Sequence, residues 1–481
     1  MDRGRKRLFE RAHRAAGLLC TGLVLCAGLA GAPCSGQTLP PETKTFTLDQ
    51  AVDYALAHYP AVRAALSGVT AAQAGVGVAE TAYLPSANTL WQTNRGTRNN
   101  IFGQLLPQSV IPSMSGPVLG FTSGANVWNS AGGMLVSWEP LDFGYRKASV
   151  AEARTGESQA SAQLRITRLD VALATVERYF TLLQAEQVAR AARADVERRE
   201  TFAKSVGVLV ENQLRPGADA SRAASDLAQA QIRLIRAATA ESASREALAN
   251  LLGLGDIRIE AAPGPLLGPP QGATLSAASP AENPFAIAQQ FRIEAAQARD
   301  RALAKSYAPK FNLQAALYGR GSGAETDGTT LGGANGLGLQ RMNWDAGVQV
   351  TFPVLQIFAI REQRKVEQAN AQAERARYDQ ELQDLSGEIA QARINLEGSQ
   401  QIARTTPTEV SSARDTEQQA RARYEAGLAT IVEVSEAQNI LSQAEVDDAI
   451  ARLGVWHGLA GVAAAQGDLQ PFLELVRSAG H

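Results

Sequence analysis

Glu433 and Glu436 stand three residues apart. On a helix that spacing puts both carboxylates on one face, where they repel each other and attract cations. Tyr424, Gly427 and Leu428 lie just before them. Elsewhere the chain is poor in reactive groups. Its histidines are His13, His58, His457 and His481, and its cysteines, Cys20, Cys26 and Cys34, all fall near the N-terminus. Cys/His nucleophiles and zinc clusters therefore have almost nothing to use. His58 and His457 sit singly on helical patterns and read as packing or surface residues. No Gly-rich phosphate loop opens a helix after a strand and no nucleophile elbow is present, so the sequence argues against an enzyme and against a cofactor or metal site.

The 481 residues are 45% hydrophobic and 20% charged with a formal net charge of −2, which leaves no polybasic surface for nucleic acid. Residues 1–36 read as an export signal: a basic start (Arg3, Arg5, Lys6, Arg7, Arg11, Arg14), an apolar run from Ala15 to Ala32, then small residues around Gly36. Cleavage there would remove every cysteine, which suits an oxidising compartment. No other stretch is apolar over the ~18 residues that a membrane helix needs, so an α-helical transporter is excluded.

What positions the acids is a duplicated plan. Pro60 and Pro85 recur as Pro284 and Pro309 at an offset of 224, with Tyr83 matching Tyr307 and Asn88 matching Asn312. Further on the register drifts, and Gly217 faces Gly427 at an offset of 210. Residues 37–253 form the first repeat, the Pro/Gly-rich stretch 254–283 a linker, residues 284–467 the second repeat, and residues 468–481 a C-terminal tail.

Each repeat reads as helix, strand, loop, strand, very long helix, turn, helix. Thr47 and Gln50 form a capping box that opens a helix running to about Ala82. Leu169, Leu173, Val176, Phe180 and Leu183 make a heptad seam inside a helix from about Ala148 to Glu211, and its partner spans Ala218 to Leu252. The second repeat matches with Arg361 to Ala426 and Leu428 to Gln466, and Pro407 predicts a kink or break near Thr406.

Trp344, Ala346, Val348, Val350 and Phe352 alternate with Asp345, Gly347, Gln349 and Thr351, a strand with one greasy and one wet face. Weaker alternation marks residues 311–318, 133–139 and 88–95, and the loops 96–131 and 319–343 are long and polar. Four such strands match a sector of a transmembrane barrel but cannot close one. In lipid an open edge leaves backbone groups unpaired, so other copies of the chain must complete the cylinder. The pattern thus predicts a homo-oligomer with strands in a membrane and long helices outside it. A non-pore periplasmic structural or adhesive coiled-coil protein is the alternative; it would keep the heptads but has no use for the alternating strands.

The motifs that carry this plan resemble the TolC-like outer-membrane efflux proteins over nearly the whole mature chain. They are Thr47-Leu-Asp-Gln-Ala-Val-Asp-Tyr-Ala-Leu-Ala-His-Tyr-Pro60, the two Pro-led strand entries, Pro140-Leu-Asp-Phe-Gly144, and Tyr424-Glu-Ala-Gly427-Leu-Ala-Thr-Ile-Val-Glu-Val434. The resemblance implies a mainly α fold with membrane β sectors: a homotrimer whose twelve-stranded β-barrel in outer-membrane lipid continues into an α-helical periplasmic barrel. It also implies a passive exit duct for efflux or type I secretion, served by a periplasmic adaptor and an inner-membrane pump.

The turns at Gly217 and Gly427 would then be periplasmic tips, with Gly217, Ala218, Gly427 and Leu428 as adaptor-docking candidates. The same resemblance implies that Glu433 and Glu436 face the lumen as an acid ring, and that Tyr424 belongs to a gating network. The basic residue expected two positions beyond the turn glycine is Ala429 here, and an acid expected in the first repeat falls on Ala223.

Overall fold

The computed structural model describes residues 43–100, 105–112, 118–255, 257–270 and 275–479; the export signal and the cysteines lie outside them. The first repeat begins with strand β1 (Thr43–Phe46), helices α1 (Leu48–His58) and α2 (Pro60–Glu80), and strands β2 (Ser86–Thr97) and β3 (Asn126–Leu141). Helices α3 (Tyr145–Glu211) and α4 (Gly217–Leu252) complete it. The second repeats the order with β4 (Arg258–Ala261), α5 (Pro284–Lys305), β5 (Lys310–Ser322), β6 (Arg341–Thr351), α6 (Gln356–Glu425) and α7 (Ile431–Gln466), and α8 (Gln470–Ala479) closes the chain.

The Thr47–Gln50 capping box forms as read. The helix it opens is not continuous to Ala82, however; it breaks at Tyr59, which Pro60 forces into extended backbone (ψ 129°). Asn283 does the same before Pro284, and its side chain accepts from the Phe285 amide. Both prolines thus occupy the first helical position, where no N–H is needed.

At 1.5 Å per residue, the 67 residues of α3 and 70 of α6 extend roughly 100 Å each. Each packs against the shorter helix that follows it. The heptad seam is used: Val176, Phe180 and Leu183 are buried in the main core with Leu48, Leu248, Trp456 and Phe472. Pro407 lies inside α6 and the helix runs through it without the expected break. Thr406 beside it is buried and donates its hydroxyl to Asp448 of α7 (2.9 Å), so packing holds the backbone where one ladder bond is missing.

The stretch 254–283 is more than a linker. Its β4 pairs in parallel with β1, and Leu266 is buried. In the C-terminal tail, α8 seats Phe472, Leu473 and Val476 in the core.

The second sheet has order β2-β3-β5-β6, antiparallel throughout. Its strands run longer than the alternation suggested, β3 above all. The register aligns apolar side chains across it: Met134 with Leu317 and Trp344, Trp138 with Leu313 and Val348, Leu141 with Phe311 and Val350. These lie on one face, open to the surroundings; Trp344 is 79% exposed. The alternate residues Asn88, Gln92, Gln314, Asn343 and Asp345 form the other face. Among the described residues no further strand pairs with the outer side of β2 or of β6. Among the described residues no helix is long and apolar enough to cross a membrane.

Candidate functional site

The two helical hairpins turn by the same device. At the second, Gly427 adopts φ +81°, its amide donates to Tyr424 O (3.0 Å) and the Leu428 amide donates to Arg423 O (2.8 Å). This is a Schellman ending, and the left-handed residue favours glycine. At the first hairpin the identical pair runs from Gln213 to Val210 O (2.9 Å) and from Leu214 to Leu209 O (2.8 Å), with Gln213 at φ +60°. Gly217 is therefore not the reversing residue: it opens α4 in ordinary helical backbone behind the extended Pro216. The true match is Glu211-Asn-Gln-Leu214 with Glu425-Ala-Gly-Leu428, an offset of 214 that the Glu-x-x-Leu pattern contained.

With that register, Asp219 and Glu433 occupy the same third position of their helices, and they are used differently. Glu433 accepts from the Thr430 amide (3.1 Å) and hydroxyl, closing a capping box. The Thr430 amide holds its carboxyl below the usual range, helped by the Thr430 hydroxyl and Arg423. Asp219 instead accepts from the Tyr424 hydroxyl at 2.8 Å. Tyr424 is fully buried, its ring edge-on to Phe202 at 5.5 Å. Arg215 covers the ring at 4.2 Å and donates to the Tyr424 carbonyl. Burial, and then the bond to Asp219, push the Tyr424 phenol up to about 12.

The contacts around Tyr424 are made without a base at 429 or an acid at 223. Ala429 and Ala223 pack in one apolar cluster with Tyr424, Phe202 and Val434. The charges come from Arg215 and Asp219, and from Asp226, about two turns further along α4, which accepts from Ser435 and Arg222. Sequence reading missed these residues, although their positions follow from the corrected register. Deeper in the coils, buried Asp195 pairs with Arg199 (3.0 Å) and Arg233 (2.9 Å), and Arg199 reaches Asn439 of α7 (2.8 Å).

Gly217, Ala218, Gly427 and Leu428 are all exposed at the two turns, joined by Leu214. Leu428 and Leu214 are 71% and 68% exposed, a pair of bare apolar side chains at equivalent positions. Glu433 and Glu436 share the exposed side of α7. His58 stacks on Tyr54 at 4.1 Å and His457 meets Phe180 edge-on at 5.8 Å, both in packing roles.

Residues 51–254 and 279–467 match the family model described as outer membrane efflux protein. Solved structures share the fold. VceC, an outer membrane protein of Vibrio cholerae, is 18% identical with a TM-score of 0.68, covering 88% of this chain and 96% of its own. The Campylobacter jejuni CmeC outer membrane channel is 15% identical with a TM-score of 0.67, over 96% of this chain and 98% of its own. The open state of the Neisseria gonorrhoeae MtrE outer membrane channel is 18% identical with a TM-score of 0.66, over 88% and 89%. No curated protein matches the chain in sequence.

Proposed function

The chain belongs to the outer membrane efflux protein family, and from that premise we propose that it is the passive exit duct of a tripartite efflux or type I secretion system. The observation that carries this is the sheet β2-β3-β5-β6: four strands, one face lined with exposed Trp, Leu, Val and Met, and, among the described residues, no further strand beyond β2 or β6. In acyl chains each unpaired backbone group costs several kcal/mol, so β6 of one copy joins β2 of the next until the barrel closes. Three copies give twelve strands. The helices of roughly 100 Å continue the cylinder into the periplasm.

The chain does no catalysis in this reading. A pump in the inner membrane supplies the energy, and an adaptor docks on the tips through Gly217, Ala218, Gly427 and Leu428, with Leu214 added to that surface. Tyr424 with Asp219 and Arg215 holds the tip closed, and Glu433 and Glu436 ring the narrow end with acids facing the lumen. Native mass spectrometry in gentle detergent, with planar-bilayer recording, tests it. A conducting trimer is expected. A detergent-free soluble species without conductance supports the coiled-coil alternative and overturns the duct.

A further inference from the structure

The polar face of the β2-β3-β5-β6 sheet is partly covered. From the connection between β2 and β3, residues 105–112 fold back across it. Ile111 is only 3% exposed and belongs to one buried cluster with Ala131, Ala316 and Tyr318, with Leu90, Leu105 and Leu135 packed around it. By strand alternation Leu90, Ala131, Leu135, Ala316 and Tyr318 all point away from the face that bears Trp344 and Leu317.

The segment is braced from within. Gln108 accepts from the Ile111 amide (2.8 Å) and donates to the Ile111 carbonyl (2.8 Å), so one side chain fixes the turn that aims Ile111 at the sheet. Beside it, Pro112 lines a cavity of about 150 Å³ with Leu135, Gln314, Ala316 and Asp345. The depth is considerable. Ala316 lies six residues before Ser322, the end of β5 nearest the connections, roughly 20 Å along the strand at ~3.3 Å per residue.

Two leucines on a water-lined face are costly unless something apolar covers them, and Ile111 does so. Barrels of eight strands are filled by their own side chains, while those of sixteen or more leave an open channel. A barrel between those sizes has room for a pore, and three inward segments would decide how wide it is.

We propose that residues 105–112 form a constriction inside the membrane barrel that sets an upper size for solutes passing it, separately from the helix tips. This rests on the duct reading above. The test replaces residues 105–112 by a short Gly-Ser link in a Tyr424→Phe background, so that the tips do not limit flow. Single-channel conductance in planar bilayers should rise roughly twofold or more, as when a narrow element in series with a wide pore is removed, and liposome swelling should admit larger neutral sugars.

Conductance and sugar cutoff equal to those of Y424F alone overturn the constriction. Absence of conductance in every form overturns the duct reading instead. Geometry is checked independently of any deletion. Ile111→Cys with Ala316→Cys should be joined within one chain by a short bis-methanethiosulfonate reagent, as read by mass spectrometry of the digested conducting protein. Failure of that link in a conducting protein also overturns the proposal.

Discussion

The Tyr424 hydroxyl donates to Asp219 Oδ2 at 2.8 Å, tying the last turn of α6 to the first turn of α4 across 205 residues of sequence. Because the acceptor is a carboxylate and the ring is fully buried, this is a strong contact for a single bond, worth ~1.5–3 kcal/mol. Tyr424→Phe should therefore shift the tip toward its open arrangement by roughly tenfold or more, since ~1.4 kcal/mol is a factor of ten. In planar bilayers the variant should open more often than the parent. Asp219→Asn should act in the same direction but more weakly, because the amide still accepts. Unchanged open probability in Y424F would remove the contact from the gate.

The same phenol gives a pH dependence. Its value is raised from 10.0 to about 12 by burial and by Asp219, so the folded tip favours the neutral form. Stability from this site is present in full below pH ~10 and is lost as pH rises through about 12. Ultraviolet titration of wild type against Y424F should show one tyrosine ionising late, with protease sensitivity near Gly427 appearing in the same window. A difference spectrum centred on the ordinary tyrosine value would contradict the burial.

Gln213 and Gly427 share left-handed backbone, but only one of them is glycine. A side chain there costs ~1–2 kcal/mol, and glycine's extra freedom in the unfolded chain returns ~0.5–1 kcal/mol of that. Gln213→Gly should accordingly stabilise the first tip by ~0.5–1 kcal/mol and Gly427→Ala destabilise the second by a similar amount. A Cβ at 427 would meet only the Arg215 guanidinium, at 4.0 Å, so the effect is conformational and not steric. Hydrogen exchange at the Leu214 and Leu428 amides, which close the two turns, reads each tip separately. Equal slowing or no change at both would show that the backbone strain is not there.

The strands were legible because a lipid-facing row needs large apolar side chains at every second position, and Trp344 to Phe352 supplies them. The far end of β3 was not, because its small residues Ser130, Ala131 and Gly132 carry little pattern. The break at Tyr59 was hidden because proline at the first helical position leaves the apolar periodicity intact on both sides. At the tips, glycine is the default signal for left-handed backbone. It pointed correctly to Gly427 and wrongly to Gly217, while Gln213 bore the strain unannounced. The Tyr424–Asp219 bond joins residues from different repeats, and no local spacing encodes it.

Glu433 has a structural task that any test of the acid ring must leave intact. Its carboxylate closes the capping box with Thr430, so Glu433→Ala would remove a charge and a cap together, and a changed conductance would be uninterpretable. Glutamine accepts the same backbone bond without charge. Glu433→Gln with Glu436→Gln is thus the variant that isolates electrostatics. If the acids of three chains ring the narrow end, their loss should move the reversal potential in a salt gradient away from cation preference while thermal stability stays near the parent's. The Thr430 amide keeps the Glu433 carboxyl below its ordinary value, so its charge persists into mild acid and fades only as pH falls through that lowered value. The part of the cation preference that Glu433 supplies should follow the same course. An unaltered reversal potential in the double glutamine variant would place both acids on a solvated outer face.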